Sequence, residues 1–187
     1  MLIYHIKEPM KRLLAAVLVF GAFAAPLHAA TLAEDHAAIG QVVETFRVSL
    51  IKKDPVSFMK LFYSDTIPWI GVITDQSLAR AKAEKKDPKQ PDPNKLYASG
   101  NPRKFIEGFA KIPDKVEETF DNVRIDTDGD VAQVWFDYSF QFNGYKQNSG
   151  KEAWHMMRTA EGWKISSVIW SMEFNPVPAP KPDTSSK

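Results

Sequence analysis

The sequence predicts an α+β domain in which helices come first and an antiparallel sheet follows. Three observations carry this expectation. Between Glu34 and Lys53 the apolar residues Ile39, Val42, Val43, Phe46, Leu50 and Ile51 recur at the spacing of one helical stripe. Pro55 after Asp54, and later Pro102, stand where prolines open helices. Asp128-Gly129, Asn143-Gly144 and Glu161-Gly162 suit tight turns and divide residues 115–174 into four strands of similar length.

Before the domain, Lys7, Lys11 and Arg12 precede an unbroken apolar stretch from Leu13 to Ala25, with small residues at Ala24, Ala25, Ala29 and Ala30. That order is the one found in a secretory signal peptide; Ala22-Phe23-Ala24 and Leu27-His28-Ala29 both suit cleavage, and the second, preferred, leaves a mature chain beginning near Ala30. Residues 1–29 are therefore read as a leader and residues 30–174 as the domain. The expected location is periplasmic or secreted, with no membrane contact after cleavage.

Helical residues 34–53 and a short helix burying Phe58, Met59 and Phe62 open the domain, and β-branched and aromatic residues from Ile67 to Ile73 make a short strand. Pro68 near its start points to an edge position. Residues 74–101 then dissolve into Lys, Asp and Pro, an insertion read either as a solvated excursion with an exposed helical turn at 79–86 or as a lid. From Pro102 a third helix places Phe105, Ile106, Phe109 and Ile112 on one side and stops at Pro113. After the four-strand meander, the proline-rich residues 175–187 are expected to be disordered.

Two-residue turns fix which side chains share a face of the meander. Pairing Phe142 with Tyr145 sets Ala132 against His155, and the neighbouring turns place Ile125 and Val168 beside them. The expected inner face holds Val123, Ile125, Ala132, Val134, Phe136, Tyr138, Ala153, His155, Met157, Val168, Trp170 and Met172. The outer face then carries Trp135, Trp154, Met156 and Ile169 among charged residues, an apolar patch read as the interface of a homodimer. A one-residue bulge at Ser149-Gly150 would exchange the two faces of the third strand and move His155 outside.

The 187 residues hold 24 Lys+Arg against 23 Asp+Glu and no cysteine. Such balance offers nothing to neutralise a phosphate backbone, so no nucleic-acid partner is expected. Without cysteine there is no disulfide or thiolate site, and removal of the leader leaves His36 and His155 alone, too few imidazoles for the usual transition-metal centre. Asp126 to Asp130 superficially matches a calcium loop, but Gly129 stands fourth and not sixth, and the hairpin reading prevails. No metal and no cofactor are expected, and no phosphate loop or nucleophile elbow occurs.

The stretches Asp128-Gly129-Asp130-Val131-Ala132, Val134-Trp135-Phe136-Asp137-Tyr138, Gly150-Lys151-Glu152, Trp163-Lys164-Ile165 and Val168-Ile169-Trp170-Ser171, in this order of elements, resemble the nuclear transport factor 2-like superfamily, including its SnoaL-like and ketosteroid-isomerase-like branches. The resemblance implies three helices on a strongly curved antiparallel sheet, a cystatin-like cone with an internal pocket. It also implies frequent dimers, and activities that range from isomerases and dehydratases to pocketed proteins without assigned chemistry.

Within that frame Trp69, Tyr138, His155 and Trp170 are the candidate ligand-binding residues. His155 is the candidate catalytic residue because an imidazole titrates near neutrality. Asp121, read as inner and near Lys151, and more remotely Asp65 and Asp75, are candidate carboxylates. The expected function is an exported protein that binds a small apolar molecule. The alternatives are a cofactor-free isomerase, dehydratase or hydrolase using His155 or a pocket carboxylate, and an interaction module acting through the outer sheet face.

Overall fold

The computed structural model describes residues 31–180 apart from Lys86, Pro88 and Ser99. The expected leader and residues 181–187 of the expected tail lie outside the described residues. Helix α1 (Leu32–Lys52) begins with a capping box: the Thr31 hydroxyl accepts the Glu34 N–H at 3.3 Å and the Glu34 carboxylate accepts the Thr31 N–H at 2.7 Å. Its stripe of Ile39, Val43, Phe46 and Leu50 is buried. Asp54 then caps α2 (Pro55–Met59) by accepting the N–H groups of Val56 and Ser57 at 3.0 and 3.1 Å.

Strand β1 (Trp69–Ile73) leads into the insertion, which has structure of its own. Thr74 caps α3 (Asp75–Ala83), and β2 (Leu96–Tyr97) pairs antiparallel with β1. Asn101 caps α4 (Pro102–Ala110), and the chain continues as β3 (Val116–Thr127), β4 (Val131–Phe142), β5 (Tyr145–Thr159) and β6 (Gly162–Phe174).

All six strands form one sheet in the order β2-β1-β6-β5-β4-β3, so the expected meander is present as β3 to β6. Three features of the expected architecture are corrected. The sheet is mixed, because β1 lies one place in from the edge and runs parallel to β6, with Trp69 opposite Val168 and Gly71 opposite Trp170. It is also open: β2 and β3 are its two unpaired edges, so no strongly curved cone is formed, and four helices accompany it where three were expected.

Extra residues at three places set the side-chain faces. In β3, Asn122 and Val123 stand opposite Phe136 alone, and Asn122 has φ 53°. This bulge puts Asp121 opposite Asp137 on the outer face, correcting its expected inward position, and leaves Val123 exposed. In β6, Ser166 is the extra residue between the Met156–Ile165 and His155–Ser167 pairs. Together with a turn shifted to Ala160-Glu161, it keeps Val168, Trp170 and Met172 inward as expected.

The third lies in β5. The Asn143-Gly144 turn pairs Phe142 with Tyr145 as expected, and both turn residues have positive φ, 49° and 80°. Gln147 is then skipped, since Gln141 pairs with Lys146 but Phe140 with Asn148. Every later residue of β5 is turned over. Trp154 and Met156, expected on the outer face, are 0% and 2% exposed, and Ala153, His155 and Met157 move to the outside. The four-residue apolar patch is thereby reduced to Trp135 and Ile169, both still exposed.

The bulge is held by the first residues of the expected tail. The Gln147 carbonyl accepts the Asn175 N–H at 3.0 Å, and the Lys146 carbonyl accepts from Asn175 Nδ2 at 2.9 Å. Tyr145 donates its hydroxyl to the Val177 carbonyl.

Because the residue count at this point matters and the Gln147 side chain does not, deleting Gln147 returns Trp154 to solvent and abolishes the cooperative thermal transition. Gln147→Ala shifts stability by less than about 1 kcal/mol. Circular dichroism melts of the two variants check this, and a deletion variant that melts like the parent refutes the assigned role of the bulge.

Candidate functional site

A cavity of about 410 Å³ lies between the inner face of the sheet and helices α1 and α4. Its apolar walls are Phe46 from α1, Phe105 and Phe109 from α4, Trp69 from β1, Phe140 from β4, and Val168, Trp170 and Met172 from β6. The insertion contributes Tyr97 and Gly100, and α4 adds Gly108 and an exposed Lys104. Four polar side chains are grouped on the three neighbouring strands β3, β4 and β5: Glu118, Tyr138, Asn148 and Glu152.

Backbone details bring these walls together. A Cβ on Gly71 would stand 2.8 Å from the Trp170 ring, so the glycine lets that indole lie across β1, where it meets Trp69 at 5.5 Å between centroids and 62° between planes. A Cβ on Gly150 would stand 2.1 Å from the Ser171 carbonyl oxygen. That close approach leaves the Ser171 carbonyl 2.9 Å from the Tyr138 hydroxyl, whose other neighbour is Asn148 Oδ1 at 2.8 Å. With one proton to give, Tyr138 donates to one of them at a time.

The carboxyls are the unusual part. Glu118 and Glu152 are each 4% exposed, and among the described residues neither forms an ion pair. Glu152 Oε1 accepts the indole N–H of Trp154 at 2.5 Å, a contact between same-face neighbours that the Gln147 bulge turns inward together. Burial pushes the Glu152 carboxyl up to about 7, against a smaller downward pull from the Trp154 hydrogen bond. Burial, and then the Glu152 charge, push the Glu118 carboxyl well above the ordinary carboxylate value. Burial and both carboxylates raise the Tyr138 phenol, which stays neutral. Chemically, the group can hold a polar or charged part of a ligand, or give and take a proton near neutral pH.

Of the residues singled out from sequence, Trp69, Tyr138 and Trp170 line this cavity, but His155 does not. His155 is exposed on the opposite face with Nδ1 2.8 Å from Ser167 Oγ, so an acid–base role for it in the cavity is withdrawn. Asp65, half-buried, pairs with Arg103, and the exposed Asp75 pairs with Lys95. Glu118 and Glu152 escape the sequence reading: the regular hairpin register puts Glu152 on the outer face, and only the skipped Gln147 turns it inward. Glu118 lies in a strand whose alternation, Val116, Glu118, Phe120, gives its face away only once Val116 and Phe120 are recognised as inward.

A carboxyl raised in the folded state holds a proton that the unfolded chain has released. Its stabilising contribution is complete below the unfolded value of 4.5 and is lost as pH rises through about 7. Glu152→Gln keeps an acceptor for Trp154 and removes this loss. The variant is expected to exceed the parent in stability by up to roughly 3 kcal/mol above pH ~8, the difference vanishing near pH ~4. Denaturant melts across that range check it, and a parallel pH dependence of the two proteins contradicts it.

No family model matches the sequence, and no curated protein matches it. Solved structures do share its fold. An NTF2-like protein of unknown function from Shewanella baltica superposes with TM-score 0.53 at 17% identity, over 78% of this chain and 99% of that one. An NTF2-like superfamily protein from Salmonella enterica gives 0.51 at 18% identity, over 84% and 100%. An NTF2-like protein with a cystatin-like fold from Novosphingobium aromaticivorans gives 0.52 at 13% identity, over 75% and 83%. Identities this low speak for architecture and leave chemistry to the site. By its element order, its sheet and these likenesses, the chain has the fold of the nuclear transport factor 2-like superfamily.

Proposed function

We propose that the protein binds a small, largely apolar molecule in the cavity between sheet and helices, and that it does so after export from the cytoplasm. The observation that carries the first part is the segregation of the walls: aromatic and aliphatic side chains on most sides, with Glu118, Tyr138, Asn148 and Glu152 grouped together. A cavity of a few hundred Å³ with few, grouped polar groups is the usual form of a small-molecule site. A cavity filled for stability alone would have no use for two buried acids, whose desolvation opposes folding.

Gly108 provides a direct test. It lines the cavity from α4, and a Cβ added there meets nothing within 4 Å. Gly108→Leu therefore extends a side chain into the cavity while improving helix propensity by up to about 1 kcal/mol. The variant is expected to melt at or above the parent temperature and to bind the uncharged fluorophore Prodan at least about tenfold more weakly, as read by fluorescence titration. Equal affinity in the two proteins refutes binding at this place.

Export rests on the basic start, the apolar stretch from Leu13 to Ala25 and the small residues that follow. Expressed in a Gram-negative host, the chain is expected in the periplasmic fraction with Ala30 at its N-terminus, as read by intact mass. An uncleaved protein confined to the cytoplasm refutes this part.

A further inference from the structure

Two buried acids facing one aromatic cavity raise a question of charge. Glu118 has no hydrogen-bond or ion-pair partner among the described residues, is 4% exposed and lines the cavity. Glu152 lines it too, and only its Oε1 is occupied, by Trp154. The contrast with the other buried acid is informative. Asp35, 1% exposed, is met by the Arg158 guanidinium and by the Trp163 indole N–H at 3.3 Å, so the protein supplies its counter-charge. For Glu118 and Glu152 no ion-pair partner stands among the described residues.

The groups around the pair, element by element, are Tyr138 on β4, Tyr97 on β2 and Lys104 on α4, besides the acids themselves on β3 and β5. Tyr138 is a neutral phenol and Tyr97 is half exposed. Lys104 is exposed at the rim and forms no ion pair with either acid. Beside the acids stand aromatic rings. Trp69 packs against Phe105 at 5.3 Å and against Trp170 at 5.5 Å between centroids, and Trp170 stands directly across the strand pair from Glu152. Ring faces carry negative potential and attract cations, most strongly where water is excluded.

We infer that the ligand class of this cavity is a hydrophobic amine, bound as its ammonium with the charge against Glu118 and Glu152 and the carbon skeleton among the aromatic walls. This rests on the binding reading above and narrows it. An anion would meet two acids and aromatic rings, and a neutral molecule would leave both acids without a counter-charge. An ammonium supplies the missing counter-charge and up to three donors for the free carboxylate oxygens. Where both acids are protonated its entry displaces one proton to solvent, leaving one carboxylate against one ammonium, so its affinity rises with pH until one of the two acids is ionised, as long as the amine stays protonated.

The test is calorimetric titration of the intact protein with naphthylmethylamine, naphthylmethanol and naphthoate, which share one aromatic skeleton and differ in charge. At about pH 8 the amine is expected to bind at least about tenfold more tightly than the alcohol, with the carboxylate weakest. Glu118→Gln and, separately, Glu152→Gln are expected to lower amine affinity about tenfold while changing alcohol affinity less than about threefold. Proton release on amine binding at acid pH is read by repeating the titration there in buffers of different ionisation enthalpy. Alcohol binding as tight as amine binding, or amine affinity unchanged in both variants, overturns the inference and leaves the cavity a binding site. Failure of all three compounds and of Prodan overturns both readings.

Discussion

Side chains on a strand alternate with period two, so the extra residue at Gln147 turns every later residue of β5 to the other side of the sheet. The consequences reach the whole interior. Trp154 enters the core, where its ring lies 5.0 Å from Phe46 and 5.1 Å from Phe136 between centroids. An indole of about 200 Å² withdrawn from water contributes roughly 5 kcal/mol as an upper estimate. Ala153 and His155, which would face inward without the bulge, offer less apolar area and an imidazole in need of partners. The turn at Asn143-Gly144 fixes where the hairpin reverses, and the pattern farther along requires the opposite phase. A bulge reconciles the two, and Asn175 satisfies the carbonyls it frees.

The same inversion brings Glu152 inward, because Glu152 and Trp154 are two residues apart and share a face. The indole N–H finds its acceptor there, yet the acid is left in an apolar region beside Glu118. Asp35 shows how this chain treats an acid whose role is to hold the fold. It sits in the first turn of α1, where a negative charge suits the helix terminus, and meets Arg158, which also lies 5.0 Å over the Trp163 ring. That cluster ties the start of α1 to the far end of the sheet. Among the described buried acids, then, one is counter-charged from within the protein and two face a cavity whose lining cation, Lys104, pairs with neither.

The insertion at 74–101 serves the cavity from its edge. Thr74 caps α3, and Arg80 on that helix meets Glu173 of β6 at 2.6 Å, which anchors the segment to the end of the sheet. Its return strand extends the sheet by two residues beside β1 and presents Tyr97 and Gly100 to the cavity. The composition of the segment reads as solvated, and most of its surface is. Its contribution to the site comes from a few residues at its far end.

The amino-acid sequence alone determined the elements and their order: the apolar stripe of α1, the proline-led starts of α2 and α4, and the four meander strands, because helical spacing, caps and turn dipeptides act locally. It also determined that Tyr138 and Trp170 face inward, since β4 and β6 keep the expected phase at those positions. The tertiary structure decided the rest. Whether β1 joins β6 in parallel, whether the sheet closes, and where β3, β5 and β6 take an extra residue all depend on contacts distant in sequence. One residue of register exchanged His155 for Glu152 and Trp154, and local propensity has no term that distinguishes the two faces of a strand carrying apolar residues on both.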